Sequence, residues 1–532
     1  MQNKPYASFS ITDDHTGFDH LIIGSGMGAM TLGTWLAKAG KKVAIFEQHY
    51  VPGGFTHAFK RKDGMKWDVG VHYMGNMHKG HGLRKLMDFL TNRQLDWASM
   101  GEIYDVVIIG KDRYEIPAGE ENFRQRMKEY FPDEHQAIDA YLSLIKKANA
   151  WGSAFFFEKS FEPFLSQTLG RLFRGVYAQY YRKTTLETLQ TLTTNRRLIA
   201  VLCGQCGNYG LPPKESSFAA HAMVTGHFME GGYYPHGGSE EIANCALETF
   251  RRLGGKTFIN APVTEIITTK GRVSGIRIKD KFIPCRSVIS NVGIKNTFGK
   301  LLNEEARKQQ VIAPNETKAS SAHLCLYIGL DQSDEQLNLP KHNIWSYETQ
   351  IYSADINSIT ENNTAKKFSY VSFPSAKDPR WGKKHPNTAT IQAISVGRYE
   401  WFQAYDQQPW RNREEKYQQK KEHFKTTMLE KLYELVPQIK GHVTYAEVST
   451  PLSTRHFTGY QTGEIYGLAH TPERFELPYL RPQTKIKGLK LVGQDITLVG
   501  VAGAMLSGML CAIVILKFRV WKVFKDMNKT VG

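Results

Sequence analysis

The chain has 532 residues, 41% hydrophobic and 22% charged, a length for two or three structural domains and a balance that excludes disorder and low complexity. Its formal net charge of +17 comes without a zinc, helix-turn-helix or RNA-binding signature, so nucleic acid is not an expected partner, leaving an anionic membrane surface or no partner at all. Six cysteines make no disulfide framework and suit a reducing compartment.

In chain order, residues 1–20 contain no apolar run, so no secretory signal is expected and a cytoplasmic setting is. His20-Leu21-Ile22-Ile23 reads as a buried parallel strand. It runs into Gly24-Ser25-Gly26-Met27-Gly28-Ala29, then into a helical stretch ending at Gly40, then into a second strand, Lys42 to Phe46, that stops at Glu47. Strand, glycine turn, helix, strand and acid within thirty residues predict a dinucleotide site. Gly24 permits the turn, Gly26 lets backbone approach a pyrophosphate, and Ala29 stands where a third glycine keeps helix close to strand. The helix N-terminus offers unpaired N–H groups to phosphate. Glu47 is placed to accept from ribose hydroxyls and disfavours a 2′-phosphate. Gln48 follows it, and Pro52-Gly53-Gly54 adds a second set of backbone donors.

Residues 155–181 are dense in aromatics, and Leu165, Leu169, Leu172, Val176 and Tyr180 recur at helical spacing with Arg171 and Arg174 between them. That pattern suits a membrane interface or a stripe packed on the core. Cys203 and Cys206 form a CxxC in an expected helix; no second pair follows, so ordinary packing is expected and no metal site. From Gly231 a glycine turn leads to a helix closed by Gly254-Gly255, then to alternating strands that include Val263 and a return strand, Ser287 to Asn291. Near the end, Leu489 to Val492 reads as a strand followed by Gly493-Gln494-Asp495 and a glycine-rich helix carrying Val501. Leu498 to Leu516 has no charge and is long enough for a membrane span. Its glycine-rich start after strand and Gly-x-Asp favours a buried helix instead. Lys517 to Lys525 then alternates basic and large apolar residues, as an anionic membrane surface would select.

The glycine pair after the acidic strand resembles the two-dinucleotide-binding-domain flavoproteins, although Phe55 stands where that group carries an arginine. Over nearly its whole length the chain is similar to the carotenoid/retinoid oxidoreductase family, in its retinol saturase-like branch. The similarity rests on EQHYVPGGFTHAF, WDVGVHYMG, GNYGLPPKESSFAAHAMVTGHF with GGYYPHGG, and GQDITLVGVAGAMLSG. The resemblance implies an α/β FAD-binding domain assembled from 15–80, 221–299 and 484–517. An inserted α+β substrate domain would comprise 81–220 and 300–483, with a basic amphipathic tail at 518–532. It implies FAD held by Gly24, Ser25, Gly26, Gly28, Ala29, Glu47, Gln48, Gly53, Gly54, Val263, Gly493, Asp495 and Val501, with Val263 against the adenine and Asp495 on the ribityl chain.

The implied activity is hydride exchange between flavin and a lipophilic polyene, with an unidentified electron donor; the aromatic stretch and the basic tail, for their part, lead to an expectation of peripheral (monotopic) membrane association on a cytoplasmic face. Reduction of a C=C bond leads; desaturation or cis–trans isomerisation is the alternative. A lipid-binding escort protein of similar fold is the remote one, disfavoured by Glu47 and Asp495. Protonation of carbon needs a positioned donor, and the candidates are His72 and Tyr73, in an expected strand after the glycine pair, with Tyr209, His227 and Tyr233.

Overall fold

The computed structural model describes residues 4–61, 64–308, 317–349 and 358–531. A six-stranded parallel sheet is ordered Ala7–Ser8, Lys256–Ile259, Val43–Phe46, His20–Ile23, Val288–Ser290, Leu489–Leu491. These strands come from the start, middle and end of the chain. The central strands Val43–Phe46, His20–Ile23 and Val288–Ser290 are buried at every residue because both sheet faces are covered there. Ile22, Val43, Ile45 and Ile289 meet the helices Met27–Lys38, Glu240–Arg252 and Gly500–Leu516 on one side. Leu21, Ile23, Ala44 and Phe46 meet Ile266, Val273, Ile276 and Ile283 on the other, and these belong to the antiparallel sheet Val263–Thr269, Arg272–Ile278, Lys281–Pro284.

Both insertions contribute to a second, seven-stranded sheet. Its order is Val443–Ser449, Ala322–Leu330, Ala389–Gly397, Phe368–Ser372, Asn343–Tyr347, Ile103–Ile109, Asp112–Pro117, with one parallel pair, Asn343–Tyr347 on Ile103–Ile109. One face carries the helix Glu415–Leu435, through Phe424, Met428 and Leu432. Val107 and Ile109 point to the opposite, largely helical side, built from segments between residues 120 and 228.

Three local expectations are corrected. His72 and Tyr73 lie beyond the strand Lys66–Asp68, in irregular backbone. The chain is bent tightly there: a Cβ on Gly70 would stand 2.9 Å from Phe55, and one on Gly75 1.8 Å from the His227 carbonyl oxygen. Cys203 caps the helix Arg196–Leu202 and Cys206 opens a separate 3-10 turn, so the pair is not within one helix; both are buried free thiols. The 155–181 stretch is three pieces, the end of His135–Glu158, then Pro163–Gln167 and Leu169–Tyr181. The break near Thr168 separates Leu165 from the other spaced residues, and within Leu169–Tyr181 the start is open and the end packed, with Leu169 and Leu172 exposed and Tyr180 buried.

Candidate dinucleotide and substrate cavity

One cavity of about 1110 Å³ runs from the first glycine turn to the aromatic wall of the seven-stranded sheet. Ligand pockets are commonly roughly 300–1,000 Å³, so this one has room beyond a single small ligand. Gly24, Ser25, Gly26, Gly28, Glu47, Gln48, Gly53, Gly54, Val263, Gly493, Asp495 and Val501 all line it; Ala29 does not, being buried against the sheet.

Ser25 organises the turn. Its N–H and Oγ–H both donate to Glu47 Oε2, at 2.9 and 2.6 Å, and Oγ accepts the Gly53 N–H at 2.9 Å. Three segments are thereby fixed around one buried carboxylate. Close approach is enforced by missing side chains: a Cβ on Gly28 would sit 2.7 Å from Asn291 Oδ1 and 3.0 Å from Gly493 N, and one on Gly26 3.0 Å from Asn291 Nδ2. Gly53 has φ +115°, and its Cβ would meet Ala243 at 2.8 Å. The helix Met27–Lys38 starts at this turn with no side-chain cap on its N-terminal N–H groups. Gly500–Leu516 likewise starts uncapped beside the cavity, with Gly500 and Val501 in the wall. These two free helix starts, the glycine cradle and the carboxylate fit a dinucleotide with its phosphates on backbone.

Asp495 is clamped rather than free: Oδ2 accepts the Ile294 N–H at 2.8 Å and Oδ1 the Leu468 N–H at 2.9 Å. Its turn is held by a residue the sequence did not single out. The buried Arg474 guanidinium donates to the carbonyls of Gln494, Asp495 and Thr497, and desolvation pulls it down to about 10. Asn291, wedged between the glycine turns, was also missed. Its only sequence signal is its place at the end of a strand returning toward the cofactor motif.

Of the five proton-donor candidates the cavity takes in His72 alone. Tyr73 donates to Asp105 Oδ2 at 2.8 Å and accepts from Asn208 at 2.9 Å; Tyr209 bonds His221 at 3.2 Å. His227 Nε2 accepts the Gly75 N–H at 2.9 Å, and Tyr233 pairs with Met74 in a short bridge. The Tyr73, Tyr209 and His227 side chains thus have partners within the packing, and Tyr233 is held through its backbone, outside the cavity lining. His72 is instead joined by His323 and Tyr370, two residues of the sheet that pattern alone did not distinguish from strand filler. The His72 and Tyr370 rings are 5.4 Å apart, and Nδ1 of both histidines and the Tyr370 hydroxyl are buried without a hydrogen-bond partner.

Burial, with Lys377 and His323 nearby, pulls His72 down to about 3; burial alone takes His323 to about 4. Behind them Lys377 donates to the His72 carbonyl at 3.1 Å, to Ser372 Oγ at 2.8 Å and to Asn343 Oδ1. Its three protons meet three acceptors, while desolvation lowers it to about 7. Asp105, which accepts from Tyr73, Gln205 and Asn343, is raised by burial to about 6. Trp345, Tyr347 and Phe368 complete an apolar wall.

A Rossmann-like nucleotide domain facing a separate aromatic sheet across one shared cavity defines an oxidoreductase of the two-dinucleotide-binding-domain flavoprotein class. A family model described as an NAD(P)-binding Rossmann-like domain matches residues 22–90. Putrescine oxidase superposes with a TM-score of 0.61 at 15% identity, covering 94% of this chain and 99% of that one. Cyclohexylamine oxidase from Brevibacterium oxydans gives 0.59 at 13%, covering 95% and 99%. The chain belongs to the all-trans-retinol 13,14-reductase family. It is 34% identical to the zebrafish (Danio rerio) protein of that name, over 94% of this chain and 86% of that one, and 31% identical to the human protein, over 98% and 90%. A second Danio rerio relative, 28% identical over 96% of this chain and 87% of its own, is named an inactive all-trans-retinol 13,14-reductase.

Proposed function

We propose that the protein binds FAD and reduces a C=C bond of a lipophilic polyene, a retinoid, carotenoid or polyunsaturated lipid. The observation that carries this is the single cavity that joins the glycine cradle to the aromatic wall. Bound FAD supplies the hydride, from N5 of its reduced ring. Gly24–Gly28 and Gly53–Gly54 would hold its pyrophosphate on backbone N–H groups, and Glu47 would accept from its ribose hydroxyls. The uncapped start of Gly500–Leu516 turns a partial positive charge toward the cavity, which would favour a negatively charged group bound there. Trp345, Tyr347 and Phe368 bury the hydrocarbon and exclude water.

His72 and Tyr370 meet the substrate as neutral N–H and O–H groups at neutral pH. Burial holds the imidazole at about 3 and the phenol well above its ordinary range. They orient the substrate and hold the proton that its second carbon receives.

The test is an anaerobic titration in which photoreduced protein is mixed with all-trans-retinol or a carotene. Return of the oxidised-flavin band together with a blue shift of the polyene is the expected result. Persistent reduced flavin with an unaltered polyene would overturn the reading for those substrates. Oxidised protein that instead extends or isomerises the polyene would favour desaturation or isomerisation. Relatives at 24% identity, a 1-hydroxycarotenoid 3,4-desaturase and a prolycopene isomerase, support that second reading.

A further inference from the structure

The cavity carries more positive charge than its own acids balance. Among the described residues it is lined by six cations, Arg61, Lys300, Lys367, Arg411, Arg413 and Lys421, and by three acids, Glu47, Glu447 and Asp495. Glu47 and Asp495 are held in the cofactor turns. Three of the cations are committed. Lys300 donates to the Gly459 carbonyl, Lys367 pairs with Glu348 at 2.7 Å, and Arg61 pairs with Glu447 at 2.8 Å. Glu447 also accepts the Tyr445 hydroxyl, so both of its oxygens are engaged. Arg411 and Lys421 have no hydrogen-bond or ion-pair partner among the described residues, and Arg413 gives one N–H, to the Tyr405 carbonyl at 3.3 Å.

These uncommitted cations share one arm of the cavity. Lys421 is half-buried on the helix Glu415–Leu435, one turn past Tyr417. Burial lowers its ammonium, Glu447 opposes that, and Arg413, Arg61 and Lys425 add to it. The Arg413 guanidinium lies over the Trp410 and Tyr417 rings, 5.5 and 5.0 Å from their centres. The rings fix the guanidinium plane, and its remaining N–H groups are unused. Nearby acids offer no relief: Glu422 pairs with Lys425, Asp406 with Arg455 and Glu361 with Lys420, while Glu414 and Glu415 stand exposed at the helix start. Half-buried like charges without a counter-ion are destabilising, and an anion placed among them removes that cost.

We propose that Arg413 and Lys421 are the head-group site of this cavity, and that the polyene it takes ends in a carboxylate, as a conjugated fatty acid does. The proposal rests on the polyene reading above and narrows its substrate class. A planar guanidinium beside an ammonium matches a carboxylate in charge and in donor geometry. The path to the reacting end is apolar. Glu447 stands opposite Tyr327 in the sheet, and Tyr327 lies four residues from His323 on the same face, about 13 Å along the strand. Ile394 and Val396, registered against Cys325 and His323, line the cavity between them. A chain anchored at Lys421 thus runs over this wall toward His72 and Tyr370. A hydrocarbon would leave both cations unpaired, and an alcohol would accept their hydrogen bonds without balancing their charge.

The test is binding of cis-parinaric acid, a conjugated tetraene fatty acid, and of its methyl ester to the oxidised, FAD-loaded protein, followed by quenching of tryptophan emission. The wild type should bind the acid roughly ten-fold more tightly than the ester. Lys421→Gln and, separately, Arg413→Gln should each remove most of that preference. Both should keep the ester's affinity, the melting temperature and the bound flavin of the wild type, and Lys421→Arg should retain the preference. Acid and ester bound equally by the wild type, or a preference that survives in both variants, overturns the head-group site and leaves the polyene reading standing. Binding of neither ligand overturns both. Loss of flavin from either variant would assign these cations to the cofactor's pyrophosphate instead and likewise overturn the proposal.

Discussion

At the scale of single residues, the cofactor end of the cavity depends on one carboxylate serving two purposes. Glu47 Oε2 already accepts two protons from Ser25, and Oε1 the His49 N–H at 2.9 Å. The carboxylate is therefore fixed in position within the cavity, and under the proposed function ribose hydroxyls would meet it already placed. Glu47→Gln preserves shape but replaces an acceptor oxygen by an NH2 group and removes the charge. A hydrogen bond to a charged group contributes about 1.5–3 kcal/mol, so dinucleotide retention should fall roughly 10- to 100-fold, as read by flavin released on dilution. Equal retention would show that Glu47 serves the turn alone. At the other end, Tyr370→Phe removes only the partnerless hydroxyl. Slower substrate-dependent turnover at unchanged flavin content is expected, and a wild-type rate would remove Tyr370 from the reaction. His72→Ala supplies the parallel test for the imidazole.

At the scale of elements, the helices Met27–Lys38 and Gly500–Leu516 cross at Gly28 and Gly508. A Cβ on Gly508 would lie 2.6 Å from the Gly28 carbonyl oxygen and 2.8 Å from Thr31 Cβ, so the first and last parts of the cofactor domain meet backbone to backbone. Gly508→Leu should cost about 3 kcal/mol or more, lowering the melting temperature and the flavin content together. Gly175→Ala, in the exposed middle of Leu169–Tyr181 with no heavy atom within 4 Å of its Cβ, should instead stabilise by roughly 0.5–1 kcal/mol. This level also shows what could be read in advance. The βαβ unit was legible because local rules, a buried strand, a glycine turn and an acid at fixed spacing, specify it without help from elsewhere. His323, Tyr370, Asp105 and Lys377 were not, because their cluster is assembled from separate segments, Ile103–Ile109, Ala322–Leu330, Phe368–Ser372 and Pro374–Lys377, that only the fold brings together. A histidine in Ala322–Leu330 carries no local mark of facing a cavity. Tyr73 and Tyr209 sit beside motif residues yet turn into the packing, since adjacency in sequence does not fix side-chain direction where the backbone is irregular.

At the scale of the whole molecule, the buried histidines set how the fold responds to acid. Burial lowers His72 and His221 to about 3 and His227 and His323 to about 4. For His227 the geometry explains it as well, because Nε2 accepts the Gly75 N–H and a proton there would break that bond. An unfolded histidine titrates near 6.5. Between that value and the folded ones, the unfolded chain binds protons that the folded chain refuses, so the histidine contribution to stability is complete above about pH 6.5 and declines as pH falls. Each group contributes up to about 1.4 kcal/mol per pH unit in that window. Asp105 works against them: raised by burial to about 6, it takes up a proton in the folded state first and recovers part of the loss. Among these five groups alone, the four histidines less the one carboxyl leave a net uptake of about three protons on unfolding near pH 5, and His20, His49 and His342, each lowered by burial to about 4, add to it in the same direction. Against a total stability of about 5–15 kcal/mol, that is enough to bring the melting temperature down steeply between pH 6.5 and 5. Denaturant unfolding at several pH values measures the uptake directly as the slope of free energy on pH. His227→Gln keeps an acceptor for the Gly75 N–H but cannot be protonated, so its slope should be shallower by one proton, about 1.4 kcal/mol per pH unit. A wild-type uptake below one proton, or a His227→Gln slope equal to wild type, would show that these rings are solvated and charged in the folded protein.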